Sequence, residues 1–189
     1  MTKVAVVYHS GYGHTQKVAE AVARGAKSVD GASVTLVSVA DIENHWAELD
    51  AADAIIFGAP TYMASASGKF KEFMDATSGR WMNQTWKDKL AAGFTNSGSM
   101  SGDKLTTLVQ FVTFAAQHGM LWVGTGIMPG NNHSGGSNED LNRLGSALGL
   151  MTQSNVDQGP DVAPPASDIK TAEAFGVRVV KTAQRVAKV

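Results

Sequence analysis

Residues 3–15 read KVAVVYHSGYGHT. Lys3–Tyr8 is a β-branched run that stops at a Gly-containing turn, and from His14 the period becomes helical, with Val18, Ala19, Val22 and Ala26 on one face. The stretch predicts a strand, a tight turn and a helix. A second β-branched run, Ser33–Val39, follows Asp30-Gly31, and a third, Asp53–Gly58, stops at Ala59-Pro60. Phe70, Phe73 and Met74 mark a short helix, Leu90–Thr95 a fourth strand, Leu105–Ala116 an Ala/Phe-rich helix and Met120–Thr125 a fifth strand. Continuous apolar strands separated by helices indicate a parallel sheet covered on both faces. Five such strands with right-handed crossovers predict an α/β doubly wound sheet, of order 2-1-3-4-5 or Rossmann type, with ligands at the strands' C-terminal ends.

Beyond the fifth strand, Gly126–Gly149 is rich in Gly, Asn and Ser and too long for an ordinary connection, which makes it functional or mobile. Residues 150–166 lack a clear period. Asp168 is the expected N-cap of a last helix in which Ala172, Phe175, Val179, Val180 and Ala183 recur at helical spacing. No repeat or composition shift marks a linker, so one domain is expected across 1–189.

Composition removes several function classes. The 189 residues contain no Cys, which excludes disulfides, thiolate nucleophiles and Cys-ligated zinc and fits a cytoplasmic home. With 16 basic and 17 acidic residues the net charge is −1, so no global field holds nucleic acid or an anionic membrane. The longest apolar runs fall far short of the ~20 residues of a membrane span, and a soluble, unprocessed protein is expected. The five histidines are too scattered for a metal motif, and Gly98-Ser99-Met100-Ser101-Gly102 puts Met where a hydrolase elbow needs its nucleophile.

What remains is the chemistry of three loops. After strand one, Ser10-Gly11-Tyr12-Gly13-His14-Thr15 can wrap a phosphate with backbone amides, a helix N-terminus and two hydroxyls. Its alternative is an ordinary Gly-rich turn. The dinucleotide fingerprint fails, because Gln16 stands at its third glycine, and no Walker lysine follows. After strand three, Pro60-Thr61-Tyr62-Met63 begins a run of small residues around one aromatic, against which a flat ring could lie; alternatively Tyr62 and Met63 are surface or subunit-contact residues. After strand four, Asn96-Ser97-Gly98-Ser99-Met100-Ser101 offers small donors to the edge of a pyrimidine-like ring. Together the loops describe a mononucleotide-shaped site.

At these residues the sequence resembles the flavodoxin superfamily and, within it, the WrbA-type NAD(P)H:quinone oxidoreductases. SGYGHT is similar to that family's phosphate loop, S-x-Y-G-H-[TI]. AIIFGAPTY followed by SGKFKEFMDATSGRW resembles its AIIFGTPTR and SGxxxxFxDxTGxLW. TNSGSMSG resembles its Gly/Ser/Thr loop, and QHGM its HHGM. The resemblance covers most of residues 1–125 and weakens after 126. It implies a flavodoxin-like fold, non-covalent FMN, and a tetramer, or a dimer, whose sites include residues of neighbouring subunits.

By position, the resemblance assigns Ser10, Gly11, Tyr12, Gly13, His14 and Thr15 to the FMN phosphate, and Pro60, Thr61, Tyr62 and Met63 to the isoalloxazine. Asn96, Ser97, Gly98, Ser99, Met100 and Ser101 fall at its pyrimidine edge, and Gln117 and His118 at the ring-contacting histidines. Trp81 would wall the pocket where nicotinamide or quinone stacks, and Tyr12 would also touch the nicotinamide dinucleotide. Tyr62-Met63 stands where the family has Arg-Phe, and Gln117 replaces the first histidine of HHGM. The implied activity is two-electron, ping-pong transfer from NADH or NADPH through FMN to a quinone-like acceptor, with no catalytic acid or base assigned. The rival is an FMN-binding electron carrier or regulatory module without NAD(P)H turnover; a net charge of −1 speaks against a strongly acidic carrier.

Overall fold

The computed structural model describes residues 1–187. In chain order the elements are β1 (Thr2–Tyr8), α1 (His14–Lys27), β2 (Ala32–Ser38), a 3-10 segment (Val39–Asn44), α2 (Trp46–Asp50), β3 (Ala54–Tyr62), β4 (Ser65–Ala66), α3 (Gly68–Ala76), α4 (Ser78–Met82), β5 (Leu90–Ser97), α5 (Lys104–Gln117), β6 (Leu121–Trp122), β7 (Leu150–Gln153) and α6 (Ala166–Val186). The parallel core runs β2-β1-β3-β5-β6, with β4 antiparallel on β3 and β7 parallel on β5.

The described sheet therefore has seven strands, not the expected five. The outermost parallel position is shared. β6 pairs only with Leu90 and Ala91, and β7 takes up the same edge further along, pairing Leu150–Gln153 with Phe94–Ser97. The expected strand Met120–Thr125 is cut short because returning chain claims its edge: Thr125 N–H donates to the Ala147 carbonyl, and Gly124 lies so close to that carbonyl that a Cβ would stand 2.8 Å from it. Residues 126–149 are thus an insertion between two short strands at one sheet position.

Alternation through the sheet explains why its strands read as continuously apolar. Val4, Val6, Ala54 and Ile56 face α1 and α6, where Val18, Val22, Phe175 and Val179 complete one core layer. Ala5, Val7, Ile55 and Phe57 face the opposite way, onto Phe70, Phe73, Trp86, Leu108 and Phe111. Both faces are buried across β1, β3 and β5, so these strands read as continuously apolar, whereas edge strand β2 carries Ser33 and Thr35. Helices α1 and α6 meet backbone to backbone: a Cβ on Gly25 would collide with the Glu173 carbonyl, and one on Gly176 with that of Val22.

The last helix starts two residues earlier than its expected cap. Pro165 is the N-cap, and Asp168 sits in the first turn with its carboxylate turned inward. There it receives Arg143 Nε–H at 2.7 Å, Arg143 Nη2–H at 3.0 Å and the Gln153 amide at 2.8 Å. Both side chains are almost fully buried, 6% and 3% exposed. This pair ties the insertion, β7 and α6 into one unit.

Candidate cofactor site

The C-terminal ends of β1, β3, β5 and β7 surround a cavity of about 700 Å³, within the size range of small-molecule sites. Ser10, Tyr12, His14 and Thr15 form one end, Pro60, Thr61 and Tyr62 a side, and Asn96, Ser97 and Gly98 the other end. All three loops singled out from sequence converge here. Ser154, Val156, Gln158 and Gly159, which carry no assignment from the sequence, close the remaining wall. Their only signal was that turn-rich residues 154–160 follow a strand of the parallel sheet, which required knowing that Leu150–Gln153 was one.

At the first end the turn is shaped by Gly13, whose φ of 89° belongs to glycine. Its amide donates to Ser10 Oγ at 3.0 Å, and its carbonyl accepts from Lys17. No side chain caps α1, so the amides of its first turn are free to meet an anion. His14 Nε2–H donates to the Gln158 carbonyl at 2.8 Å, drawing residues 154–160 over the loop.

The second end is a fixed hydroxyl and amide lattice. Thr61 Oγ1 shares hydrogen bonds with Thr95 Oγ1 at 2.8 Å and Thr107 Oγ1 at 2.7 Å, all three buried. Asn96 Oδ1 accepts from Thr152 at 2.8 Å and from Ser154 at 3.0 Å. That assignment leaves the Asn96 NH₂ as the donor available to a ligand.

Tyr62 reaches from the side wall to the first end. Its hydroxyl lies against Gly11, where a Cβ would approach it to 2.5 Å, and its ring meets Tyr12 edge to face at 6.4 Å. Burial and the neighbouring Tyr12 push its phenol pKa up, while a hydrogen bond from the Gly11 backbone opposes the rise.

Six assigned residues of these loops do not line the cavity; Gly11 and Gly13 shape the turn beneath it without lining it. Ser99, Met100 and Ser101 lie beyond its rim, where the chain bends away into α5. Met63 is 99% exposed, because Met63 and Ala64 form the two-residue turn between β3 and β4. Both have positive φ, 47° and 62°, the geometry of a type I′ hairpin that favours Asn-Gly. Ala64→Gly should therefore raise stability by about 0.5–1 kcal/mol, and an unchanged urea midpoint would refute the strain.

Trp81, Gln117 and His118 lie elsewhere within one chain. They line a second cavity of about 460 Å³ with Lys71, Met74 and Gln110. The reason is geometric: α5 begins beside Ser97 and runs back along the sheet for 14 residues, about 20 Å, before reaching Gln117. His118 is 5% exposed, packed at a tilt against Trp86 and edge-on to Phe114. Thr77 Oγ1 gives its proton to the Met74 carbonyl, so it accepts from His118 Nε2–H at 2.9 Å. His118 Nδ1 is then a buried acceptor with no partner, and burial lowers the ring's pKa.

The family model for NADPH-dependent FMN reductase matches residues 2–135. The chain belongs to that family. This FMN reductase relative is 44% identical over 187 residues to flavodoxin FldP of Pseudomonas aeruginosa, covering 98% of this chain and 99% of that one. It is 33% identical to quinone-oxidoreductase QR2 of Triphysaria versicolor, over 92% of this chain and 90% of that one. Among solved structures it is similar to the flavodoxin, WrbA-like protein of Agrobacterium tumefaciens, with a TM-score of 0.75, 41% identity and coverage of 98% and 99%. The flavodoxin-like α/β fold and the WrbA type of the chain follow.

The residues present fit the family's flavin. An uncapped helix N-terminus with two hydroxyls suits a phosphate, and side chains at Gly11 or Gly13 would fill the cradle against Tyr62 and Pro160. The Asn96 donor suits a carbonyl-bearing ring edge at the far end.

Proposed function

We propose that this chain is a cytoplasmic FMN-dependent oxidoreductase that passes two electrons from NADH or NADPH to a quinone-like acceptor, working as a homo-oligomer. The observation that carries the reading is the single cavity with anion-binding amides at one end and fixed ring-edge donors at the other. When bound, FMN supplies the hydride-accepting and electron-donating chemistry.

The chain's own residues bind and orient. Ser10, Thr15 and the α1 amides hold the phosphate, aided by the loop shape that Gly11 and Gly13 permit. Thr61, Pro60 and Tyr62 line the flat wall, and the Asn96 NH₂ with the Gly98 amide meets the pyrimidine edge, where negative charge accumulates on reduction. Tyr12, 78% exposed at the mouth, is placed to touch an incoming nicotinamide or quinone. No titratable side chain needs to move a proton.

The oligomer supplies the remaining wall. Met63 projects from its turn, Leu105 and Val109 share an exposed face of α5 at i,i+4 spacing, and Trp81 is half-exposed. These are apolar groups that a second copy would cover, bringing its Trp81 and Gln117 to the cavity of the first. Tetramer and dimer both satisfy this requirement.

The test is an absorption titration with FMN, then NADPH, NADH and benzoquinone in one cuvette, with the native mass measured in parallel. Flavin uptake, bleaching by one nucleotide and recovery with quinone are expected from an oligomer. A bound flavin left oxidised by both nucleotides in stopped-flow mixing would sink the enzyme reading. That result from a monomer would favour an electron carrier, which the separation of Trp81 and Gln117 from the cavity within one chain makes the natural second reading.

A further inference from the structure

Lys104 is the most unusual ionisable group in the molecule. It opens α5 on the same face as Leu108 and Phe111 and is fully buried, with 0% of its surface exposed. Its Nζ donates to Ser97 Oγ at 2.7 Å and to the Ser99 carbonyl at 2.6 Å. Ser97 ends β5 and lines the cofactor cavity, and Ser99 belongs to the loop that follows. One further group holds the same loop. Gln153 Nε2–H donates to the Gly98 carbonyl at 2.8 Å, and Gln153 is itself held by Arg143 and Asp168.

We propose that Lys104 is a positioning residue for the cofactor: its ammonium clamps the Ser97–Gly102 loop from beneath and sets a buried positive charge under the cavity wall assigned to the flavin's pyrimidine edge. The charge half rests on the flavin reading above; the clamp half does not.

The surrounding charges leave that positive charge uncancelled. Asp168 from α6 and Arg143 from the insertion are the ionised groups that act on Lys104, and they neutralise each other as a pair. Desolvation lowers the lysine's pKa to about 8, with Asp168 opposing and Arg143 assisting the shift, so the proton stays on at neutral pH. A fixed cation in a site shielded from water favours whichever state of a ligand carries more negative charge nearby, here the reduced cofactor.

Two variants separate the clamp from the charge. Lys104→Met removes both, and Lys104→Gln keeps an N–H donor without the charge. Amide spectra of the flavin-free full-length chain should show residues 97–102 altered and broadened in Lys104→Met, with β1, β3 and α6 unchanged. Unaltered loop signals overturn the clamp whether or not flavin binds. With FMN, Lys104→Met and Lys104→Gln should both lose at least tenfold more affinity for the reduced than for the oxidised cofactor. For a two-electron couple that is a fall in potential of about 30 mV. Equal losses in the two states overturn the charge role. If the wild-type chain takes up no FMN, the flavin reading and the charge role fall together, while the loop signals still decide the clamp. Should Lys104→Met not fold, Lys104→Gln, which keeps a donor, carries the charge readout, and an unchanged potential would overturn the proposal.

Discussion

Asp168→Ala is expected to destabilise the fold by about 3–5 kcal/mol, a large part of the ~5–15 kcal/mol that holds a domain of this size together. The substitution strands Arg143, whose guanidinium is buried at 6% exposure, and leaves the Gln153 amide without its acceptor. The cost is that of an uncompensated buried cation, not of the pair's own attraction. Replacing both partners together, Arg143→Met with Asp168→Leu, should recover most of the loss. Urea unfolding of the two singles and the double decides it: a single-variant loss below about 1 kcal/mol would mean the pair is wet and the insertion only loosely docked. The exposed pair Arg24–Glu173, 54% and 41% exposed, is the control and should move stability little.

Gly13→Val should reduce FMN affinity on the order of 100-fold while leaving the fold intact. A β-branched residue strongly resists a φ of 89°, and its Cβ would stand 2.8 Å from Pro160 Cγ. The loop can relieve this only by turning, which moves the amide now donated to Ser10 and the first amides of α1 away from the anion. A shift of about 2.8 kcal/mol corresponds to that 100-fold. Fluorescence titration with FMN beside an unfolding curve separates the two effects. An unchanged affinity would remove this loop from the phosphate site.

The two predictions probe parts of the molecule that differ in how visible they are in sequence. The loop after β1 announces itself, because a strand run, a glycine turn and a helix period are contiguous within residues 3–15. The Arg143–Asp168 pair does not. Its members are 25 residues apart, one in a Gly/Asn/Ser-rich insertion and the other at a position that reads equally well as an N-cap. Lys104 lies between these cases: a lysine on the apolar stripe with Leu108 and Phe111 is a sequence signal, though only burial reveals its meaning. β7 was hidden because four residues are too few to show a period, and β4 because two are.

Local chain order and hydrophobic period alone determined the parallel sheet with helices on both faces, the loops that would meet at its C-terminal edge, and the glycine turn between β1 and α1. These properties need only a few adjacent residues or a repeated spacing. The tertiary structure alone decided that the fifth position is shared by two strands, that residues 154–160 wall the cavity, and that Trp81, Gln117 and His118 lie away from it within one chain. Each of those outcomes depends on where a helix or an insertion delivers the chain after tens of ångströms, which is set by packing across the whole sheet rather than by any neighbouring residue.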